Sequence, residues 1–90
     1  MTPDDIKQRI RAAFPDAEVN VVDTTGGGDH FDATVVSTAF ADKGLVDRHR
    51  LIYGALGEAM RGSHAPIHAL ALTTETPDEH HRKTDRNDPR

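Results

Sequence analysis

Ninety residues with a net charge of −4 and no cysteine bound this chain to one domain with a single modest core. The missing cysteines exclude disulfides and any thiolate metal site made by this chain alone. The acidic balance weighs against non-specific binding to nucleic acid, which depends on neutralising phosphates. No apolar run approaches the length of a membrane helix and no charged-then-apolar leader precedes the domain, so the expected location is the cytoplasm, with no membrane partner.

The chain opens on "MTPDDIKQRIRAAF", a helix pattern. Thr2 suits the N-cap, Pro3 the first helical position, and Asp4 and Asp5 the positive end of the helix dipole. Met1 can pack on Ile6 as a hydrophobic staple. Ile6, Ile10, Ala13 and Phe14 form one apolar stripe, and Pro15 closes the element. "AEVNVVD" then alternates, with Ala17, Val19 and Val21 on one face. After the turn "TTGGGD", "HFDATVVS" alternates again, with Phe31, Ala33 and Val35 inward. Two such runs around a short glycine-rich loop predict an antiparallel hairpin.

"TAFADKG" reads as irregular or a single helical turn anchored by Phe40. "LVDRHRLIYGALGEAMRG" is the main helix, with Leu45, His49, Ile52, Leu56 and Ala59 or Met60 on its apolar face. Gly54 and Gly57 work against that helix and have no evident role in the pattern. "IHALALTT" is the third strand, and "TPDEHH" opens a last short helix at Thr76–Pro77. Strand, helix, strand is a crossover, so the third strand should run parallel to the second with a right-handed connection. The predicted fold is α+β, a three-stranded mixed sheet with helices on one face. "DEHHRKTDRNDPR" holds no aliphatic or aromatic residue. The division is therefore a domain over residues 1–81 and a solvated, disordered tail over 82–90.

Nucleophilic catalysis finds little support, and no enzyme is expected. Ser37 and Ser63 are the only serines, and neither sits in a nucleophile elbow. "GGGD" lacks phosphate-loop spacing and precedes a strand, so it reads as a hairpin turn. Lys43, Arg48 and Arg50 could give a nucleic-acid surface resembling a helix-turn-helix or KH domain, or simply a solvated face. His49 falls on the apolar stripe and reads as a satisfied core histidine. His30 closes the hairpin loop and His68 stands at the mouth of the third strand. If strands two and three are parallel neighbours, both imidazoles lie at one rim of the sheet. Two imidazoles leave a four-coordinate metal site half empty, so a partner would supply the rest; two unrelated surface histidines would look the same.

"DHFDATVVSTAFADKGLVDRHRLIYGAL" followed by "IHALALTTETPDE" resembles the BolA family, in its short-loop, IbaG-like branch. The carrying features are a strand ending in "VVS", then F-x-x-K-x-L-V-x-R-H-R, then "IHA" and T-x-T-P at matching distances. The resemblance runs from about the first helix to Glu79. It implies an α-β-β-α-α-β-α order similar to the class II KH topology. It also implies an adaptor that pairs with a monothiol glutaredoxin and co-ligates a bridging [2Fe–2S] cluster, for iron–sulfur trafficking or iron sensing. Glutathione is then supplied on the partner side, and self-association as a homodimer is left open. The resemblance makes the histidine of "IHA", His68, the cluster ligand, and assigns a second ligand to the loop between the first two strands, where His30 fills the role. His80 stands where the family usually has tryptophan, which removes an aromatic anchor from the last helix. Family members are also linked to DNA binding and transcriptional control, which is the alternative function. Because three glycines precede His30 while His68 belongs to a strand, His30 is expected to be the weaker, conditional ligand.

Overall fold

The computed structural model describes residues 1–61 and 65–86. Its elements are α1 (Pro3–Ala13), β1 (Glu18–Asp23), β2 (His30–Val36), a 3-10 turn (Thr38–Phe40), α2 (Leu45–Leu56), a second 3-10 turn (Gly57–Met60), β3 (Ala69–Glu75) and α3 (Pro77–Arg86). The sheet order is β1-β2-β3. β1 pairs antiparallel with β2, Val21 opposite Ala33. β3 pairs parallel with β2, His30 opposite Ala69 and Val36 opposite Glu75. The hairpin and the parallel third strand read from the sequence are thus both present.

α1 starts where the sequence places its cap. The Thr2 amide donates to Asp5 Oδ2 at 2.9 Å and the Asp5 amide donates to Thr2 Oγ1 at 3.1 Å, a reciprocal capping box. Ile6, Ile10 and Phe14, spaced four apart, are buried; Ala13, placed on that stripe by its spacing, is exposed. Alternation in the strands delivers Val19, Phe31 and Val35 to the same core, joined by Ile52, Leu56 and Ala59 from α2 and the turn after it. Ring packing of Phe14 on Phe40, with centroids 5.8 Å apart, ties the end of α1 to the segment after β2. Below them, Asp16 accepts from Ser37 Oγ, the Thr38 amide and Thr38 Oγ1 at 2.8–2.9 Å, which fixes the start of β1 to the end of β2.

The helices depart from the sequence reading in several places. The α-helix expected through Gly62 ends at Leu56, because Gly57 adopts φ +56°, a left-handed conformation that closes the helix without a Cβ clash. That gives Gly57 its role; Gly62 itself lies outside the described residues. Leu45, expected on the buried stripe, is 64% exposed because the first turn of α2 extends past the core. Finally, α3 continues to Arg86, so residues 82–86 are helical where a disordered tail was expected; 87–90 lie outside the described residues. Within the described residues, no helix is long and apolar enough to cross a membrane.

Candidate functional site

The rim predicted for His30 and His68 exists, and backbone pairing builds it. His30 is the first residue of β2, anchored by the Thr24 amide and hydroxyl donating to its carbonyl at 2.9 and 3.2 Å. His68 precedes β3 by one residue rather than lying within it. It is held all the same, because its amide donates to the Asp29 carbonyl at 2.8 Å. Next to it, the Ile67 side chain is 2% exposed and acts as the plug that seats this turn in the core. Parallel pairing of β2 with β3 therefore brings the imidazoles edge to face, ring centroids 6.2 Å apart. Both rings are accessible, with side chains 44% and 56% exposed.

Between them stands Asp29, which the sequence reading did not single out. One carboxylate oxygen lies 3.0 Å from His30 Nδ1 and the other 3.5 Å from His68 Nδ1. The His30 contact is close but off the hydrogen-bonding direction, and that nitrogen is buried without an aligned partner. The nearby His30 imidazole, and to a smaller extent His68, holds the Asp29 carboxyl below its ordinary range. A signal existed in the sequence, the adjacent acid–imidazole pair Asp29–His30. Its connection to His68 depends on strand pairing and could not be read from spacing.

The glycine loop is more ordered than its composition suggests. Asp23 accepts from the amides of Thr25, Gly26 and Gly28 at 3.2, 2.8 and 2.9 Å. Gly26 and Gly28 sit at φ +80° and +76°, and a Cβ on Gly28 would lie 3.2 Å from the Met1 carbonyl oxygen. The expected reason for ranking His30 below His68, a loose loop, is therefore not what the structure displays: both residues are pinned by main-chain hydrogen bonds.

As a donor set, the rim offers two imidazoles and one carboxylate whose oxygens lie near their Nδ1 atoms. No group of three or more His, Cys, Asp or Glu side chains able to hold a metal ion occurs among the described residues. Imidazole nitrogen can ligate iron, zinc or copper, and two such donors by themselves leave a four-coordinate site incomplete.

The other candidate residues separate. Arg48 is not available to a nucleic acid. Its guanidinium makes a bidentate pair with Glu79 at 2.6 and 3.1 Å, donates to the carbonyls of Lys43 and Thr74, and lies over the Phe40 ring. Its side chain is 13% exposed. Lys43 and Arg50 remain at the surface. His49 is half-buried and packs edge-on against Tyr53; its Nε2 is buried without a hydrogen-bond partner, so the satisfied core histidine expected here is not found. His80 approaches Glu75 through Nδ1 at 3.1 Å, a polar contact where the family pattern expected an aromatic anchor.

A family model described as BolA-like protein matches residues 10–79. The chain belongs to the BolA-like family. It is 36% identical over 78 residues to the DNA-binding transcriptional regulator BolA of Escherichia coli, covering 79% of this chain and 71% of that protein. A BolA homologue from Coxiella burnetii superposes with a TM-score of 0.75 at 41% identity, covering 91% of this chain and 99% of that one. A 53-residue stretch is 43% identical to SufE-like protein 1 of Arabidopsis thaliana; it takes in 59% of this chain and 14% of that protein, so the likeness is to one part of a much longer relative. The α+β fold, three helices with a three-stranded mixed sheet, agrees with the BolA structures.

Proposed function

We propose that this chain is a BolA-like adaptor, not a catalyst, that pairs with a monothiol glutaredoxin in the cytoplasm. In the pair, His68 and His30 co-ligate a bridging [2Fe–2S] cluster for iron–sulfur trafficking or iron sensing. The observation that carries this reading is the convergence of two accessible imidazoles, 6.2 Å apart, on one carboxylate at one end of the sheet. The chain's own contribution is to hold two nitrogen donors at a fixed rim; thiolate donors come from the glutaredoxin cysteine and its glutathione. When bound, the cluster supplies an iron–sulfur centre whose potential is raised by nitrogen in place of thiolate ligands. Because the ligating imidazoles must be deprotonated, cluster retention should weaken as the solution is acidified.

The test is reconstitution with a monothiol glutaredoxin and glutathione, followed by visible absorption and circular dichroism. His68→Ala should keep the far-ultraviolet spectrum of the fold and change or abolish the cluster bands. An unchanged cluster spectrum in His68→Ala excludes that residue as a ligand.

A second reading is favoured by the name of the Escherichia coli relative, a DNA-binding regulator. On this chain such contacts would use Lys43 and Arg50, since Arg48 is committed to Glu79. Binding to duplex DNA would then weaken steeply with salt, with a log–log slope of about 0.9 per neutralised phosphate. No binding at low salt would remove this reading.

A further inference from the structure

We infer that Asp29 is a positioning residue shared by both histidines, fixing each imidazole in the Nδ1–H tautomer so that Nε2 carries the lone pair offered to metal. A neutral imidazole has one N–H and one bare nitrogen, and the partner of one nitrogen decides the state of the other. Asp29 presents its two oxygens to two different rings, 3.0 Å from His30 Nδ1 and 3.5 Å from His68 Nδ1. Neither contact is an aligned hydrogen bond, but the negative charge of a carboxylate at those distances favours a proton on the facing nitrogen. It therefore opposes the ordinary preference of free neutral histidine for the Nε2–H form.

The backbone makes the sharing unavoidable. Asp29 immediately precedes His30, and its carbonyl accepts the His68 amide at 2.8 Å and the Ala69 amide at 3.3 Å. The same residue thus joins the two strand starts and addresses both rings. Thr25 Oγ1, 3.4 Å from Asp29 Oδ1, adds a donor from the loop that limits rotation of the carboxylate. Metal-binding histidines generally require such an outer partner, and its loss typically costs about 10–100-fold in metal affinity. Here a single outer partner serves two ligands, so one substitution should affect both.

The inference rests on the two-histidine reading, but its first test needs no cluster. Long-range proton–nitrogen correlation spectra of the metal-free, nitrogen-15-labelled chain, at a pH where imidazole is neutral, report each tautomer directly. His30 should be mainly Nδ1–H, and His68 should be biased the same way to a smaller degree because its contact is longer. Asp29→Asn, which keeps the size and the main-chain bonds but removes the charge, should move both rings toward Nε2–H. Nε2–H rings in the unmodified chain, or identical tautomers in Asp29→Asn, would overturn the inference. If Asp29→Asn fails to fold, the tautomers of the unmodified chain decide alone. The second arm measures cluster loss from the glutaredoxin complex, expected to be roughly 10–100-fold faster for Asp29→Asn; an unchanged rate would overturn the positioning role. Should the unmodified chain form no cluster at all while the tautomer shift is seen, the proposed function fails and the Asp29 assignment stands.

Discussion

Arg48 reads as a surface cation in a basic run, yet its partners come from the turn before α2, the end of β3 and the first turn of α3. Glu79 closes the arrangement: its carboxylate accepts the Thr76 amide at 2.9 Å, and its own amide donates to Thr76 Oγ1 at 3.2 Å, a second capping box. Glu79→Ala removes the box and leaves Arg48 with carbonyl acceptors only. The expected cost is roughly 1–2 kcal/mol, held at that level because the carboxylate is 40% exposed and screened by water. Urea unfolding checks it; no change in midpoint would show that the pair is ornamental. The same residue sets a pH dependence. Arg48 and the Thr76 amide hold the Glu79 carboxyl at about 2, below its usual 4.5. A depressed carboxyl contributes stability that is fully present above its unfolded value and is lost as pH falls toward its folded value. Stability should therefore decline between about pH 4.5 and 2. Asp16, lowered by Thr38 and Ser37, adds in the same direction at the acid end. Glu79→Gln should flatten that decline, and an unchanged acid profile in this variant would contradict the assignment.

The Thr24–Asp29 loop shows why an element's composition misleads about its order. Asp23 collects three loop amides, and that organisation lies in hydrogen bonds that glycine content does not reveal. Asp23→Ala should cost about 1 kcal/mol, raise amide exchange at Gly26 and Gly28, and hasten cluster loss through His30; unaltered exchange would mean the loop is held by something else. By contrast, α3 beyond His81 contributes one exposed ion pair, Arg82 with Asp78, and a 3.7 Å approach of Lys83 to the buried Glu75 carboxylate, which keeps His80 at 3.1 Å when Lys83 is removed. Truncation after His81 should lower the melting temperature by no more than about 4 °C, the equivalent of about 0.5 kcal/mol in a domain of this size. A larger drop would show that the last turn of α3 docks. Alternation in β1 and β2 was legible because those strands bury one face, and the crossover made β3 parallel by necessity. The end of α2 was not, since Gly57 looks the same in a helix interior as at a left-handed stop. His30 and His68 were legible as residue types at strand starts. Asp29 was not, because its reach to His68 exists only once β2 and β3 have paired.

At the scale of the molecule, core and candidate site are separate. The buried cluster of Ile6, Ile10, Phe31, Val35, Phe40, Ile52 and Leu56 is built from apolar side chains, whereas the two histidines stand at the sheet rim, about half exposed. A metal that is not needed to complete a core contributes no folding energy to the chain by itself, in contrast with zinc-dependent miniature domains. It can contribute to association, because a group ligated from both sides is present only in the pair and stabilises it by mass action. Treating the isolated chain with a chelator should therefore leave its circular dichroism and melting temperature unchanged. Stripping the cluster from the glutaredoxin complex should release or weaken the partner while both chains stay folded, a separation that size-exclusion chromatography with visible detection resolves. If the isolated chain loses structure on chelation, the site is part of the fold and the adaptor reading is wrong. If the complex keeps its full affinity without the cluster, recognition lies in a protein–protein surface and the histidines are passengers on it.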